Sequence, residues 1–227
     1  MCDVIARLTK GLKMNTTENT FQRIERERIV ATVVIDDIDK ATGLAETLLE
    51  AGMKSIELTL RTDCALDAIS IISDNYPEML VGAGTVLTND QLRRAADAGA
   101  AFAVAPGFNP AVVEEALKVG LPFAPGVCTP SDVERALSYN CKYLKFFPAE
   151  PLGGIKYLTS MAAPYLHLGI GFFPLGGINA GNFIDYLNQP YVTAVGGSWL
   201  APREAISNGD WKLISDLCAE ANVSSEG

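Results

Sequence analysis

The sequence predicts a (β/α)8 barrel, the TIM-barrel fold of the α/β class, with an extra helix before the first strand. Eight short apolar or β-branched runs recur about every 23 residues, which leaves room for one strand, one helix and two short loops. The segments between the runs carry helix start and stop signals. An open doubly wound sheet is the alternative, but Ile35-Asp36-Asp37 follows the first run where a dinucleotide-binding glycine fingerprint would stand.

The eight runs are the predicted strands of the barrel. Parallel strands joined by helical crossovers wind in a right-handed sense, and eight such units close a barrel. The predicted strands are Val30–Ile35, Ser55–Leu60, Leu80–Val86, Ala101–Ala105, Pro122–Val127, Tyr143–Phe147, Gly171–Leu175 and Tyr191–Val195.

Helix start and stop residues predict where the helices lie. Threonine or asparagine followed by proline or an acidic residue is typical of a helix N-terminus, and glycine is typical of its end. These signals predict helices over Gln91–Gly99, Ala111–Val119 and Val133–Tyr139. Thr16–Arg28 is predicted as an amphipathic helix that closes the bottom of the barrel, and Trp211–Ala221 as the last outer helix.

The chain carries no stretch of linker composition, so residues 1–227 are expected to form a single domain with frayed ends at about 1–14 and 224–227. An undivided α/β barrel commonly has about 200–250 residues, which agrees with this length. Residues 157–184 include no Asp, Glu, Lys or Arg, but Pro164, Pro174 and several glycines interrupt the segment. We therefore expect buried elements there and not a membrane span.

Composition excludes two classes of partner. Lys plus Arg number 18 and Asp plus Glu number 27, and the net charge of −9 opposes binding to nucleic acid or to an anionic membrane. Lys10 and Lys13 are not followed by the apolar region of a secretory signal, and the five cysteines are odd in number without close pairing. These features favour a cytoplasmic protein with free thiols.

Two predicted strands carry charged side chains where a buried parallel strand should be apolar. Strict alternation in Ser55–Arg61 puts the isoleucine and leucines on one face, toward the helices, and Glu57 and Arg61 on the other. Lys145 is predicted to point inward as well. Because an unpaired buried charge costs several kcal/mol, we expect Glu57, Arg61 and Lys145 to lie together inside the upper barrel.

This charged cluster has two interpretations. A lysine inside a barrel can attack a carbonyl carbon and form a Schiff base, and a neighbouring carboxylate such as Glu57 can carry the protons of that reaction. Arg61 favours this interpretation, because barrel active sites lie at the carboxyl ends of the strands. The alternative is an ion-pair cluster with a structural role only.

Glycine pairs follow the seventh and eighth predicted strands. Gly176-Gly177 and Gly196-Gly197-Ser198 stand at the two loops that commonly bind phosphate in barrels, where bare backbone N–H groups face the anion. The alternative is that the glycines only form tight turns. Gly82-Ala83-Gly84-Thr85 ends the third strand in a similar way and would place the Thr85 hydroxyl at the barrel mouth.

Metal and thiol chemistry have less support in the sequence. His167 is the only histidine, and Cys128 has no histidine nearby in sequence. Asp36, Asp37 and Asp39 are expected to cap a helix after the first strand and not to bind a cation. We therefore expect neither a metal nor another cofactor.

Four motifs, in order and at matching spacing, carry a family resemblance: Ile56–Thr62, Val81–Leu87, Leu144–Glu150 and Gly196–Leu200. With them the chain resembles the 2-keto-3-deoxy-6-phosphogluconate (KDPG) and 4-hydroxy-2-oxoglutarate (KHG) aldolases from about residue 30 to residue 211. The resemblance implies a metal-free class I aldolase of carbohydrate metabolism, a lyase that assembles as a homotrimer. Its products would be pyruvate and either glyceraldehyde 3-phosphate or glyoxylate.

The resemblance also implies roles for individual residues. Lys145 matches the Schiff-base lysine and Glu57 the general acid and base. The other matching positions form three groups: Arg61 and Thr85 at the pyruvyl carboxylate, Pro106 and Phe147 as pocket walls, and Gly176, Gly177, Gly197 and Ser198 at the phosphate end.

The sequence departs from the family pattern at a few positions. Many members carry threonine immediately before the first glycine pair, where this chain has Leu175, and a proline common in strand 1 is Ala31 here. The catalytic pair is unaffected, but the preferred aldehyde is left open. The alternatives are the epimeric 2-keto-3-deoxy-6-phosphogalactonate as substrate, another phosphate-binding barrel enzyme such as an isomerase or a thiamine-phosphate-synthase-like transferase, and a barrel that binds a phosphometabolite without catalysis.

Overall fold

The computed structural model describes the backbone of residues 14–225 and the side chains of residues 20–222. Most of the two ends that the sequence predicts to fray, residues 1–13 and 226–227, lie outside the described residues. The first described helix begins at Met14 and the last one ends at Ser225, so residues 14, 224 and 225 are helical.

Helices and parallel strands alternate along the chain. The strands are β1 (Ile29–Val33), β2 (Ser55–Thr59), β3 (Leu80–Gly84), β4 (Phe102–Val104), β5 (Phe123–Ala124), β6 (Gly126–Val127), β7 (Tyr143–Phe146), β8 (Gly171–Pro174) and β9 (Val195–Gly197). The helices are α1 (Met14–Glu27), α2 (Lys40–Glu50), α3 (Ala65–Asn75), α4 (Asn89–Asp97), α5 (Pro110–Val119), α6 (Pro130–Ser138), α7 (Gly154–Ala162), α8 (Phe183–Leu187), α9 (Arg203–Asn208) and α10 (Trp211–Ser225), with a 3₁₀ helix at Ala163–Leu168.

The helix starts follow from the capping chemistry that the sequence indicates. Thr88 and Thr129 each accept a hydrogen bond from the backbone N–H three residues later and form a complete capping box. Asn109 caps α5 through the N–H of Ala111, and Gly120 ends that helix in the left-handed conformation. Each of these helices begins one to three residues before its predicted start. The residues directly after Thr88, Asn109 and Thr129 are already helical, whereas the sequence pattern assigned them to the start signal.

The strands form a curled parallel sheet in two parts. The larger part has six strands in the order β5-β4-β3-β2-β1-β9, and the smaller has three in the order β6-β7-β8. Pro125, which has no N–H for a sheet hydrogen bond, separates β5 from β6. On the other side, Phe172 of β8 accepts from the N–H of Thr193 and donates to Tyr191 O, and it bridges to Val192. The structure thus shows an α/β fold with a curled parallel sheet.

Buried apolar side chains form two separate layers. One lies between the strands and the helices and includes Ile56 and Leu58 of β2. The other lies on the concave side of the strands and includes Val30, Phe102 and Phe173. Ile56 and Leu58 thus face the helices, whereas Glu57 between them contacts Lys145 on the inner side, so the alternation predicted for β2 is confirmed.

Helix α1 covers the amino-terminal ends of the strands. Its Phe21 and Ile24 are 4% and 2% exposed and belong to the inner apolar layer, not to the layer beneath the other helices. The Phe21 ring stacks on Tyr143 at the start of β7, with 4.5 Å between the ring centroids. The helix therefore closes the bottom of the curled sheet, as its sequence pattern predicts.

The last strand differs from its prediction. Tyr191–Val195 is β-branched and apolar, but its first residues make only the bridge to β8, and the strand that pairs with β1 is Val195–Gly197. The chain passes from one neighbouring strand to another within this run, which residue propensities do not reveal. The glycine pair Gly196-Gly197 consequently lies within β9 and not after it.

The uncharged stretch 157–184 is divided among most of α7, the 3₁₀ helix, β8 and the first residues of α8. Among the described residues, we find no helix with the length and apolar character needed to cross a membrane.

Replacing Phe21 with alanine tests the role of α1. We expect the free energy of unfolding to fall by about 3 kcal/mol, because the change removes a buried aromatic ring and leaves a cavity under the strands. Gln22→Ala, at the exposed neighbouring position, should change it by less than about 0.5 kcal/mol. Chemical denaturation measures both, and equal small effects would show that α1 does not close the sheet.

Candidate active site

The centre of the concave face holds a buried salt bridge. Lys145 Nζ on β7 donates a hydrogen bond to Glu57 Oε1 on β2 at 3.0 Å, and the two side chains are 6% and 0% exposed. Because β2 and β7 belong to different parts of the sheet, the contact crosses the interior. Both side chains point inward, as the alternation of their strands predicts.

The strands on either side of β2 are shaped around the Glu57 carboxylate. Thr32 lies opposite Glu57 in the register of β1, and its hydroxyl donates to Oε2 at 3.4 Å. On β3, a Cβ atom added to Gly84 would overlap Glu57 Oε1. Gly84 is therefore required for the carboxylate to fit, and both carboxylate oxygens have hydrogen-bond donors.

Arg61 is exposed, and the expectation that it is buried with Glu57 and Lys145 is wrong. β2 ends at Thr59, so alternation no longer fixes the direction of a long side chain two residues later. Arg61 Nε donates to Thr59 Oγ1 at 3.1 Å, and that hydroxyl donates in turn to Val33 O at 3.1 Å. Within the described residues the two terminal guanidinium nitrogens have no acceptor, which leaves them available to an anion.

Three further predicted residues lie near the carboxyl ends of the strands. The Phe147 ring follows β7 and its centroid is 5.4 Å from Lys145 Nζ. Thr85 follows β3 directly and has a left-handed backbone with φ of 59°. Pro106 lies two residues after β4, and its carbonyl group packs so closely on Gly126 that a side chain there would overlap it. Gly126 pairs with Lys145 in the register of β6 and β7, which places Pro106 close to the lysine strand.

The Gly176-Gly177 pair begins the loop after β8. Both residues have positive φ, 92° and 86°, which favours glycine. The Gly177 carbonyl accepts from the side-chain amides of Asn179 and Asn182 at 3.0 and 3.1 Å. Within residues 14–225 the N–H groups of Gly176 and Gly177 have no acceptor, so this loop presents two free donors.

Gly197 and Ser198 mark the end of β9. The indole ring of Trp199 lies so close to Gly197 that no Cβ atom fits there. Ser198 is exposed, and its hydroxyl has no hydrogen-bond partner among the described residues. The two glycine-containing segments thus lie at the carboxyl ends of β8 and β9. They are on the same edge of the sheet as Phe147, which follows β7.

The acidic residues after β1 make an ion pair and a turn. The Arg203 guanidinium hydrogen-bonds both Asp36 oxygens, at 2.5 and 2.6 Å, and holds the pKa of that carboxyl below its usual value. Asp39 directly precedes α2 but its side chain makes no cap bond, and Asp37 accepts from the N–H of Asp39 at 3.1 Å. The expectation that these side chains cap α2 is therefore wrong, because the aspartates bond within their own turn and to Arg203.

The structure gives Cys128 and His167 no place in this site. Burial and the hydrogen bond to Asp132 raise the pKa of the Cys128 thiol, which disfavours the nucleophilic thiolate. His167 is exposed on the 3₁₀ helix. In the part of the chain that the structure describes, no three His, Cys, Asp or Glu side chains come together in a way that could hold a metal ion.

Comparison with known proteins identifies the family. A family model described as "KDPG and KHG aldolase" matches residues 21–217. The chain belongs to the KDPG and KHG aldolase family. The resemblance carried by the four sequence motifs is thereby confirmed, and so is the assignment to the lyases, since aldolases of this family belong to that class.

Individual aldolases of the family match most of the chain. The 2-dehydro-3-deoxy-phosphogluconate aldolase of Treponema pallidum is 41% identical over 87% of this chain and 93% of its own length. The KHG/KDPG aldolase of Escherichia coli K12 is 40% identical over 85% and 90%. A solved KDPG aldolase from Legionella pneumophila, with pyruvate captured as a covalent carbinolamine, has a TM-score of 0.83 at 36% identity and covers 89% of this chain and 96% of that one.

Sequence reasoning missed residues that contact the predicted site residues. Thr32 stands in an ordinary β-branched strand, so nothing in the sequence distinguishes its hydroxyl from a surface-facing one. Glu150 ends the third motif without a predicted role, and its hydrogen bond with Tyr186 joins residues 36 positions apart in sequence. The register of β1 against β2 places Thr32 opposite Glu57, so a correct strand alignment would have indicated its hydroxyl. No feature of the sequence indicates the contact of Tyr186.

Replacing Gly84 with alanine tests the packing around Glu57. We expect the free energy of unfolding to fall by about 1–3 kcal/mol, because the new methyl group overlaps a carboxylate held by Lys145. Gly107→Ala is the matched control, since nothing lies within 4 Å of a Cβ atom at that position. Chemical denaturation of both variants decides the point, and a neutral Gly84→Ala would show that the Glu57 side chain lies elsewhere.

Proposed function

We propose that this aldolase cleaves KDPG to pyruvate and glyceraldehyde 3-phosphate, and KHG to pyruvate and glyoxylate, by class I (Schiff-base) chemistry. The observation that carries the proposal is the buried contact of 3.0 Å between Lys145 Nζ and Glu57 Oε1. A nucleophilic amine and a proton carrier are thus held together in an interior from which water is largely excluded.

Lys145 is the proposed nucleophile. Transfer of its ammonium proton to Glu57 leaves a neutral amine, whose lone pair attacks the C2 ketone of the substrate to form a carbinolamine. Glu57 then returns the proton to the C2 hydroxyl, which leaves as water, and the C2–nitrogen iminium forms. The Legionella relative, whose pyruvate is captured as a covalent carbinolamine, supports the first of these steps.

Glu57 is the proposed general base for cleavage. Its carboxylate takes the proton of the C4 hydroxyl, the C3–C4 bond breaks, and the electron pair flows into the iminium to give an enamine while the aldehyde leaves. Glu57 then donates the proton to C3, and water releases pyruvate and the free lysine. Because the iminium nitrogen is itself the electron sink, the proposed scheme draws on no metal or other cofactor.

The pyruvyl end of the substrate is proposed to bind Arg61 and Thr85. The free terminal nitrogens of Arg61 suit a bidentate contact with the substrate carboxylate, and its Nε is already fixed by Thr59. Pro106 and Phe147 would form the walls of the pocket beside the lysine. Exposure of Arg61 supports this role, because the guanidinium has to meet an anion that arrives from solvent.

The distal end is proposed to bind the two glycine segments. The free N–H groups of Gly176 and Gly177 are the donors expected for a phosphate, and Gly197 and Ser198 would add a second side of the same subsite. Leu175 is 3% exposed in the inner apolar layer, so it offers this end of the pocket no hydroxyl. The relatives named for phosphogluconate and KHG support these substrates over the galactonate epimer.

We also propose that the two parts of the sheet form one closed (β/α)8 barrel in a single domain spanning residues 1–227. A single residue, Pro125, separates β5 from β6, and the Phe172–Val192 bridge links β8 to the segment that leads into β9. The family resemblance supports a cytoplasmic homotrimer with a small-molecule keto acid as its ligand. Light scattering should then give three times the chain mass of 24.2 kDa.

Borohydride trapping with pyruvate tests the nucleophile. We expect a reduced adduct on Lys145, located by mass spectrometry of peptides, and loss of turnover by about a thousandfold or more in Lys145→Ala. Lys156→Ala, an exposed lysine on α7, should retain both adduct and turnover. An adduct on another lysine, or full turnover by Lys145→Ala, would end the Schiff-base proposal.

Glu57→Gln tests the proton carrier. We expect cleavage of KDPG to slow by about 10²–10⁴-fold, because the amide cannot accept the C4 hydroxyl proton, while binding of pyruvate changes little. Turnover comes from a coupled pyruvate-release assay, and exchange of the C3 protons of pyruvate into heavy water gives a second readout of the same group. Unchanged C3 exchange in Glu57→Gln would assign the base to another residue.

A further inference from the structure

Glu150 and Tyr186 form a hydrogen-bonded pair directly behind the Gly176-Gly177 loop. The Tyr186 hydroxyl on α8 donates to Glu150 Oε1 in the turn after β7. Tyr186 is 1% exposed, whereas Glu150 is an exposed residue whose carboxylate reaches back to this buried hydroxyl. The pair thus connects the segment that follows the Schiff-base strand to the helix that follows the glycine loop.

The backbone packs closely on both partners. A Cβ atom at Gly177 would lie 2.5 Å from Glu150 Cβ, so the glycine backbone rests directly on the Glu150 side chain. A Cβ atom at Gly154 would lie 2.9 Å from Glu150 Oε1 and 3.4 Å from the Tyr186 hydroxyl. Glycine on two sides leaves Glu150 little freedom to move without moving the loop.

Backbone hydrogen bonds tie the same two segments together. The N–H of Glu150 donates to Gly176 O at 3.0 Å, and the N–H of Ala149 donates to Leu175 O at 2.7 Å. With the Gly176 carbonyl turned toward Glu150 and the Gly177 carbonyl held by Asn179 and Asn182, the acceptors of the loop are occupied. The N–H groups of Gly176 and Gly177 therefore remain available to donate hydrogen bonds to a ligand.

We propose that Glu150 and Tyr186 are positioning residues that hold the Gly176-Gly177 loop in the conformation that receives the distal phosphate of the substrate. The inference rests on the proposed function and adds to it two residues that do not touch the substrate. Its consequence is that the pair controls affinity for the phosphate end and not the chemistry at Lys145.

The chemistry of the pair fits a fixed support. Burial and the hydrogen bond to the Glu150 carboxylate raise the pKa of Tyr186, so the hydroxyl keeps its proton and remains a donor to that carboxylate. A charge-assisted hydrogen bond of this kind is stronger than one between neutral groups. The carboxylate therefore stays in place against Gly177.

The test removes the hydrogen bond while keeping the buried ring. In Tyr186→Phe, the KM for KDPG should rise about fivefold or more with kcat reduced less than twofold, and C3 proton exchange of pyruvate, which has no distal group, should stay within twofold of wild type. Glu150→Gln keeps the size of the side chain and should give the same split to a smaller degree. Tyr165→Phe is the matched control, because Tyr165 donates to Glu134 Oε1 at 3.1 Å on the outside of the molecule.

A second measurement separates this inference from the proposed function. Inorganic phosphate binding, followed by thermal stabilisation, should be weakened in Tyr186→Phe and unchanged in Tyr165→Phe whether or not KDPG is cleaved. Equal phosphate binding and equal KM in Tyr186→Phe and wild type would overturn the inference, as would a loss of pyruvate exchange equal to the loss with KDPG. A wild-type protein that neither cleaves KDPG nor exchanges pyruvate would instead overturn the proposed function.

Discussion

An amine and a carboxylate share the interior of this sheet, and the strands around them are built to permit it. Removing both groups from water costs several kcal/mol per ion unless each finds a partner, so Lys145 and Glu57 each depend on the other. Thr32 supplies a hydroxyl to the second carboxylate oxygen, and Gly84 supplies room on the opposite neighbouring strand. Residues from four strands therefore serve one contact, which is the arrangement expected when an interior does chemistry as well as packing.

Two segments at the carboxyl ends of the strands offer different kinds of donor to an anion. Arg61 offers a charged, planar fork from the end of β2, whereas the Gly176-Gly177 loop offers neutral backbone donors after β8. Arg203, another arginine beside the carboxyl ends, is already occupied by Asp36. In the proposed function, a substrate with a carboxylate at one end and a phosphate at the other would be oriented by chemistry that differs between its two ends, with its ketone at the lysine.

The pattern of residues along the chain predicts most of this architecture, and its failures have physical causes. Alternation within a strand determines which face a side chain takes, so the sequence alone is enough to place Glu57 and Lys145 inside. The same rule fails for Arg61, which lies beyond its strand. The start of β9 differs from its prediction because two neighbouring strands share one apolar run. The hydrogen bond between Glu150 and Tyr186 depends on how two loops pack in space, which no periodicity in the sequence records.

The most direct test of this account is a crystal structure of the protein soaked with pyruvate. We expect continuous electron density from Lys145 Nζ to C2 of pyruvate, with the Glu57 carboxylate within hydrogen-bond distance of the new centre and the pyruvate carboxylate against Arg61. Pyruvate bound without a covalent bond, or joined to a different lysine while Lys145 keeps its contact with Glu57, would contradict it.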